Sequence, residues 1–367
     1  MIDLSIPISD IKGLHEPAVV KLVSDGSNES EKDIIILERI LTSADKQVWT
    51  NPKLKIVVEI KKQLDVENGE IWIVFPESKQ INRFFRPSAN ANTLMFTERC
   101  DQYCIMCSQP PKNKDYPFWD LFHQAILSLP QNSFLGISGG EPLLEKALLF
   151  DLLEKCIASR PDIQFHILTN GQHFKREDVE ALKSINPNIL WGIPLYSSEP
   201  SIHDKVVGKE GAFEILLDNI LNLYLSGGKI ELRTVLLQQN VAYLSHTANF
   251  IADKLPWISF WALMQLEPIG FARIDYAEKF YDNSSNFNLI RMALDTARFK
   301  GIPSRLYNFP RCTVESSYRD LTNKSISDWK NKYLESCFKC PEKNLCCGFF
   351  EWYNPSQGYS KIGEMYL

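Results

Sequence analysis

The sequence has no apolar run approaching the roughly 20 residues needed to span a bilayer. Its first residues, Met1-Ile2-Asp3-Leu4-Ser5, lack the basic flank and apolar core of a secretory signal. Both absences lead to the expectation of a cytoplasmic protein without a membrane partner. Neither charge sign is in excess. The net charge is −5 from 40 basic and 45 acidic residues, so no broad nucleic-acid-binding surface is expected. Internal repeats, low-complexity tracts and long linkers are also missing. Against these absences, 44% of the residues are hydrophobic and 23% charged, an ordinary balance for a chain that folds around a sizeable core. A length of 367 residues exceeds one ordinary domain and fits one large α/β domain with additions.

Residues 1–90 read as a β-rich accessory domain with at least one helix. Lys55–Ile60 and Ile71–Phe75 are β-branched and aromatic, Asn68-Gly69 marks a turn, and Asp25–Ser30 is a polar loop. From about residue 91 the pattern changes. Short apolar strands at Thr93–Thr97, Phe134–Ser138, Gln164–Leu168, Ile189–Tyr196, Ile230–Leu237 and Ser259–Leu266 alternate with amphipathic segments. Those helices are expected near 117–129, 144–158, 175–185, 212–226, 242–255 and 285–300. Six strand–helix units over 91–301 predict a parallel sheet, either a partial (β/α)6 barrel or a doubly wound sheet. In both, ligands sit at the C-terminal strand ends. Residues 302–367 lose the alternation and are rich in cysteine.

Nine cysteines are present, and eight are clustered. In a cytosolic chain such spacing indicates metal binding rather than disulfides. Cys156, alone in an apolar helix, reads as a packing residue. Cys100, Cys104 and Cys107 form a C-x3-C-x2-C loop directly after the first strand of the α/β region. Thiolates are the usual ligands of iron–sulfur clusters, and three of them leave one iron of a [4Fe–4S] cubane open for a substrate. A structural zinc site is the alternative, but it wants four ligands and no histidine is near.

The C-x3-C-x-Φ-C loop, with Met106 at Φ, resembles the signature of the radical S-adenosylmethionine (radical SAM) superfamily. The next strand ends in Ser138-Gly139-Gly140-Glu141-Pro142, similar to that family's GGEP motif. The resemblance implies that this motif cradles the amino group of S-adenosylmethionine. Glycine admits close backbone approach, and a carboxylate suits an ammonium. It also implies cofactor contacts from strand-end polar residues: Asn170, Ser197, and Arg233, whose fork suits a carboxylate. His203-Asp204 with Gly208 and Gly211 also recurs in such enzymes, and is read here as a loop and helix cap.

A second group, Cys337, Cys340, Cys346 and Cys347 with Cys312 upstream, resembles a shortened SPASM or "twitch" extension. It implies an auxiliary [4Fe–4S] cluster, most simply on Cys312, Cys337, Cys340 and Cys346. Cys347 stands where similar proteins often have glycine and is a fifth candidate. A zinc ribbon-like site satisfies the same cysteines. Flanking stretches, among them Asn92–Thr97, Ser108-Gln109-Pro110-Pro111, Tyr307–Cys312 and Ser325–Lys330, resemble the C-type radical SAM maturase of the His-Xaa-Ser peptide system over residues 80–355. That implies a bacterial enzyme that modifies a ribosomally made precursor peptide, with a sister maturase or small accessory protein and an external electron donor. Rival readings are a small-molecule radical SAM enzyme similar to the deazaguanine carboxy-synthases, a degenerate partner protein, and a zinc-stabilised scaffold.

Overall fold

A computed structural model describes residues 5–23, 34–42, 45–61, 64–89 and 91–362. The expected polar loop at Asp25–Ser30 lies outside the described residues. The chain divides into two compact units, Met1–Met95 with Tyr116–Ile137 and Ala147–Phe165, and Phe96–Asp115 with Ser138–Lys146 and His166–Leu367.

The first unit contains eight N-terminal strands: β1 (Ser5–Pro7), β2 (Asp10–Lys12), β3 (Ala18–Val23), β4 (Ile35–Thr42), β5 (Lys46–Asn51), β6 (Ile56–Lys61), β7 (Ile71–Phe75) and β8 (Gln80–Phe85). They form one sheet in the order β1-β8-β7-β3-β4-β5-β6-β2. Only β3 and β4 pair in parallel among the registers described. Alternate residues of β6 (Ile56, Val58, Ile60) are buried with Leu22, Leu37, Trp49, Trp72 and Ile81, as a half-buried strand requires. The β-rich reading holds. The expected helix within 1–90 does not appear among the described residues. Among the described residues the strands run from turn to turn and leave no stretch of helical length. A helix from beyond the sheet, α1 (Trp119–Leu127), packs on β3 and β7. The Phe118 ring, just before it, lies 4.8 Å from that of Phe75.

The remaining elements are β9 (Thr93–Met95), β10 (Phe134–Ser138), α2 (Lys146–Ser159), β11 (Gln164–Leu168), α3 (Val179–Ile185), β12 (Ile189–Pro194), α4 (Pro200–Val207), α5 (Ala212–Leu225), β13 (Lys229–Val235), α6 (Leu244–Lys254), β14 (Phe260–Met264), α7 (Tyr276–Lys279), α8 (Asn288–Phe299), β15 (Ser304–Tyr307), β16 (Asn331–Lys332) and β17 (Phe349–Phe350). Strands β9 to β15 form a seven-stranded sheet in sequential order. A doubly wound sheet reverses its strand order at a switch point. No reversal occurs, so the partial-barrel reading is the correct one. Strands β12 to β15 are parallel throughout.

The registers sort these strands into two faces. On one, Ile193, Leu232 and Trp261 are neighbours, as are Leu263 and Leu306, and all are fully buried. The other aligns Gly192 with Glu231 and Phe260, Pro194 with Arg233, Ala262 and Arg305, and Met264 with Tyr307. A parallel sheet buried on both faces reads as apolar throughout. Charged and small residues on one face mark it as the face that lines a site.

Candidate active site

The cysteine loop follows β9 and is held by backbone bonds. Tyr103 N–H donates to Val207 O and Ile105 N–H to Val206 O, both 3.0 Å, so the last turn of α4 carries the loop. Phe271 N–H donates to Cys107 O (2.9 Å). Met106, at the Φ position, is buried with Tyr196, Val206, Val207 and Leu237. α4 was not expected as a helix: His203-Asp204, read as loop, lie within it, while the cap reading holds for Asp204. Asp204 accepts from the N–H groups of Gly211 (2.7 Å) and Phe213 (2.8 Å) at the start of α5. His203 is a buried neutral imidazole, pushed down to about 4 by desolvation, which the nearby Asp204 carboxylate only partly opposes.

Cys100, Cys104 and Cys107 are free and half-buried. Burial pushes the Cys100 thiol up to about 11 and raises Cys104 and Cys107 as well. Negative charge on the neighbouring thiols adds to the rise at Cys104. Metal binding to these thiols would release their protons. Among the described residues no three His, Cys, Asp or Glu side chains close on a single metal ion. A cubane requires no such convergence, because each thiolate binds its own iron. In the same loop Gln102 is 2% exposed, and its Nε2 has no hydrogen-bond partner among the described residues. An unpaired buried amide nitrogen beside three clustered thiols fits a cluster with sulfur acceptors.

The GGEP segment lies against the strand that feeds this loop. Gly140 N–H donates to Thr97 O and Glu141 N–H to Arg99 O, both 2.7 Å. A Cβ on Gly140 would stand 2.0 Å from Arg99 O, and one on Gly139 2.3 Å from Thr97 O. The glycines are therefore required by this close approach of two backbones. Ser138 closes the same pairing, its carbonyl accepting from Phe96 N–H (2.8 Å). Glu141 is fully buried. Its Oε1 accepts from Leu143 N–H (2.8 Å) and Thr169 Oγ1 (2.7 Å), and its Oε2 from Asn170 N–H (2.5 Å). Desolvation raises its carboxyl even against these three donors. Glu141 thus couples the end of β10 to the end of β11.

The Asn170 side chain turns to the cysteine loop, donating to Asp101 Oδ1 (2.7 Å). Asp101 also pairs with Lys209 Nζ (2.5 Å) and faces His173 Nε2 at 3.4 Å. Burial would raise this carboxyl, but His173, Lys209 and Asn170 outweigh it and hold it well below the usual range. Asp101, His173 and Lys209 were not singled out from the sequence. Their partners are 69 to 108 residues apart, and the one local signal was a carboxylate inside a cysteine loop.

Arg233 and Ser197 stand elsewhere. Arg233 donates to Glu231 Oε1 (2.8 Å), and His166 Nε2 lies 2.6 Å from Glu231 Oε2. Desolvation acts to raise the Glu231 carboxyl, but Arg233 and His166 more than offset it and hold it low. Arg233 also lies over the Tyr307 ring. Ser197 is fully buried, and its Oγ accepts from Glu199 N–H (3.0 Å) at the start of α4.

The C-terminal cysteines lie in a loop closed by antiparallel β16 and β17, with Asn331 opposite Phe350 and Lys332 opposite Phe349. Cys346 Sγ accepts from Arg311 N–H (3.3 Å) and Gly348 N–H (3.4 Å). A hydrogen bond from Cys347, outweighing burial together with these backbone donors, pulls Cys346 down to about 6. Cys347 is buried with Ile326 and Phe350, and its thiol is raised far above normal. Cys312 and Cys337 pack on the same apolar cluster as Cys104. Cys340 is half-buried beside them in sequence. Cys156 is a buried core residue of α2, as read.

Residues 94–251 match the family model described as the Radical SAM superfamily, a little under half of the chain. The chain therefore carries a radical SAM domain over these residues. Among solved structures it is similar to SuiB of Streptococcus suis (19% identity, TM-score 0.49, covering 64% of this chain and 52% of that one). It is also similar to anSMEcpe with bound AdoMet (13%, 0.48, 58% and 63%). A third likeness is to a radical SAM methyltransferase from Sphaerobacter thermophilus (11%, 0.43, 74% and 77%). The chain spans about half the length of the SuiB chain it matches. No curated protein sequence matches the chain.

Proposed function

We propose that this protein is a radical SAM maturase that modifies a ribosomally made precursor peptide of the His-Xaa-Ser type. The observation that carries the reading is a radical SAM domain followed by a cysteine-rich extension whose Cys312 and Cys337 pack on the apolar cluster that also receives Cys104. In this reading Cys100, Cys104 and Cys107 hold the first [4Fe–4S] cluster, and Cys312, Cys337, Cys340 and Cys346 an auxiliary one. Together, the first cluster and S-adenosylmethionine supply a carbon-centred radical able to take hydrogen from an unactivated carbon.

The chain's own residues do the rest. Asp101, tied to Asn170 and Lys209, fixes the cysteine loop against the strand ends. Glu141, with three donors filled, keeps one lone-pair direction on Oε2 for an ammonium group. Ser138, Gly139 and Gly140 set the backbone beside it. Arg233, anchored by Glu231, offers its remaining N–H groups to a carboxylate. Ser197 fixes the N-terminal end of α4, the helix whose last turn bears the loop. Cys347, donating to Gly348 O (3.4 Å) and packed on Ile326 and Phe350, serves as a packing residue and not as a ligand. Residues 1–90 act as an accessory domain, 91–301 as the core and 302–367 as the auxiliary-cluster extension. A cytoplasmic setting, an external electron donor and a sister maturase or small accessory protein complete the proposal.

The test is mass spectrometry of a His-Xaa-Ser repeat precursor after anaerobic incubation with the reduced, cluster-loaded protein and S-adenosylmethionine. A mass change confined to the repeat region supports the reading. An unmodified peptide, alongside active cleavage of S-adenosylmethionine, refutes the peptide assignment while leaving the enzyme class intact.

A further inference from the structure

We infer that Gln102 is a positioning residue that donates a side-chain N–H to a sulfur of the cluster on Cys100, Cys104 and Cys107, and so makes that cluster easier to reduce. The inference rests on the reading of these cysteines given above.

Gln102 sits in the middle of the C-x3-C spacing. Its backbone N–H faces Cys100 and partly offsets the burial-driven rise of that thiol. Its side chain faces Cys104, with Oε1 3.8 Å from Cys104 Sγ. In that arrangement a protonated Cys104 donates and the amide oxygen accepts. The amide nitrogen then has two N–H groups and no partner, in a residue 2% exposed. A buried donor left unmade is costly.

Iron on Cys104 removes the S–H proton. The sulfur is then only an acceptor, and an amide oxygen beside it is repulsive. The two ends of an amide occupy nearly the same volume. Turning the amide over places N–H toward the thiolate or a cluster sulfide without disturbing the packing. One rearrangement both satisfies the orphaned nitrogen and removes the repulsion. Reduction adds a negative charge to the cluster, and a donor to its sulfurs stabilises the more negative state. Asp101, next in sequence, is already neutralised by Lys209. Gln102 thus offers this loop a buried, uncommitted side-chain donor.

The experiment compares wild type with Gln102→Leu and Gln102→Glu, each reconstituted anaerobically. Redox titration is followed by electron paramagnetic resonance. The signal read is the one that changes when S-adenosylmethionine is added, which separates this cluster from an auxiliary one. Gln102→Leu is expected to lower the reduced-to-oxidised ratio at fixed potential about tenfold, ~59 mV for a one-electron couple. Gln102→Glu keeps the shape, removes the donor and adds charge, so it shifts the midpoint further the same way. It also supplies the answer if the leucine variant does not load iron. Unchanged midpoints in the variants that load would overturn the inference. Absence of any S-adenosylmethionine-sensitive signal in wild type would instead overturn the reading of the cysteines, and the inference with it.

Discussion

Acid should loosen the α4 segment through one buried imidazole. His203 is 1% exposed, and its Nδ1 accepts from Tyr196 N–H at 3.3 Å, so its proton resides on Nε2. The rings of Tyr196 and Phe213 each lie 5.7 Å away. Burial lowers its pKa to about 4, against roughly 6.5 for an unfolded histidine. The fold prefers the neutral form. Its contribution is therefore complete above the unfolded value and is lost as pH falls from about 6.5 through about 4. At 1.36 kcal/mol per unit the interval corresponds to roughly 3 kcal/mol. The consequence reaches the site, because Val206 and Val207 of the same helix hold the cysteine loop. His203→Gln keeps an acceptor for Tyr196 but does not titrate. Urea unfolding at pH 7 and pH 4, with both proteins in the same loading state, should show wild type losing about 3 kcal/mol more than the variant. Equal losses in the two proteins would refute the argument.

Two further outcomes follow from the hydrogen bonding. Glu141→Gln keeps one oxygen for Leu143 and Thr169 but turns an amide N–H toward that of Asn170. Losing one charge-assisted bond should cost about 1.5–3 kcal/mol in denaturant stability, and calorimetry should show S-adenosylmethionine binding weakened about tenfold or more. Wild-type affinity in that variant would remove Glu141 from the cofactor site. At the second cysteine group, Cys346→Ser should reduce bound iron to about half, the content of one cubane out of two. Cys347→Ser, changing a residue buried against Ile326 and Phe350, should leave iron content unchanged; equal iron loss in both variants would make Cys347 a ligand.

Much of the core was legible because its strands are short apolar blocks between turns. The expected Phe134–Ser138, Gln164–Leu168 and Ile71–Phe75 coincide with the observed strands. The seventh strand, Ser304–Tyr307, escaped notice because four residues with an arginine and a serine carry no apolar run. α4 escaped because its eight residues begin at Pro200 and carry His203-Asp204, which read as loop chemistry. Its meaning lay in the backbone carbonyls it presents to the cysteine loop, and no side-chain pattern announces those. The helix that the N-terminal sheet needs was expected within 1–90 and comes from Trp119–Leu127, a tertiary choice invisible to local periodicity. Cysteine spacing and GGEP were legible as short motifs. The Asp101–Asn170, Asp101–Lys209 and His166–Glu231 contacts join residues far apart in the chain, so only the fold reveals them.

The central claim is that Cys100, Cys104 and Cys107 hold a cluster that works on S-adenosylmethionine. Its most direct test is anaerobic purification with iron and sulfide analysis, followed by assay of the dithionite-reduced protein with S-adenosylmethionine. The account predicts about eight irons per chain, two cubanes, with 5′-deoxyadenosine formed by wild type and none by Cys104→Ala. Zinc in place of iron, with no 5′-deoxyadenosine, would contradict it.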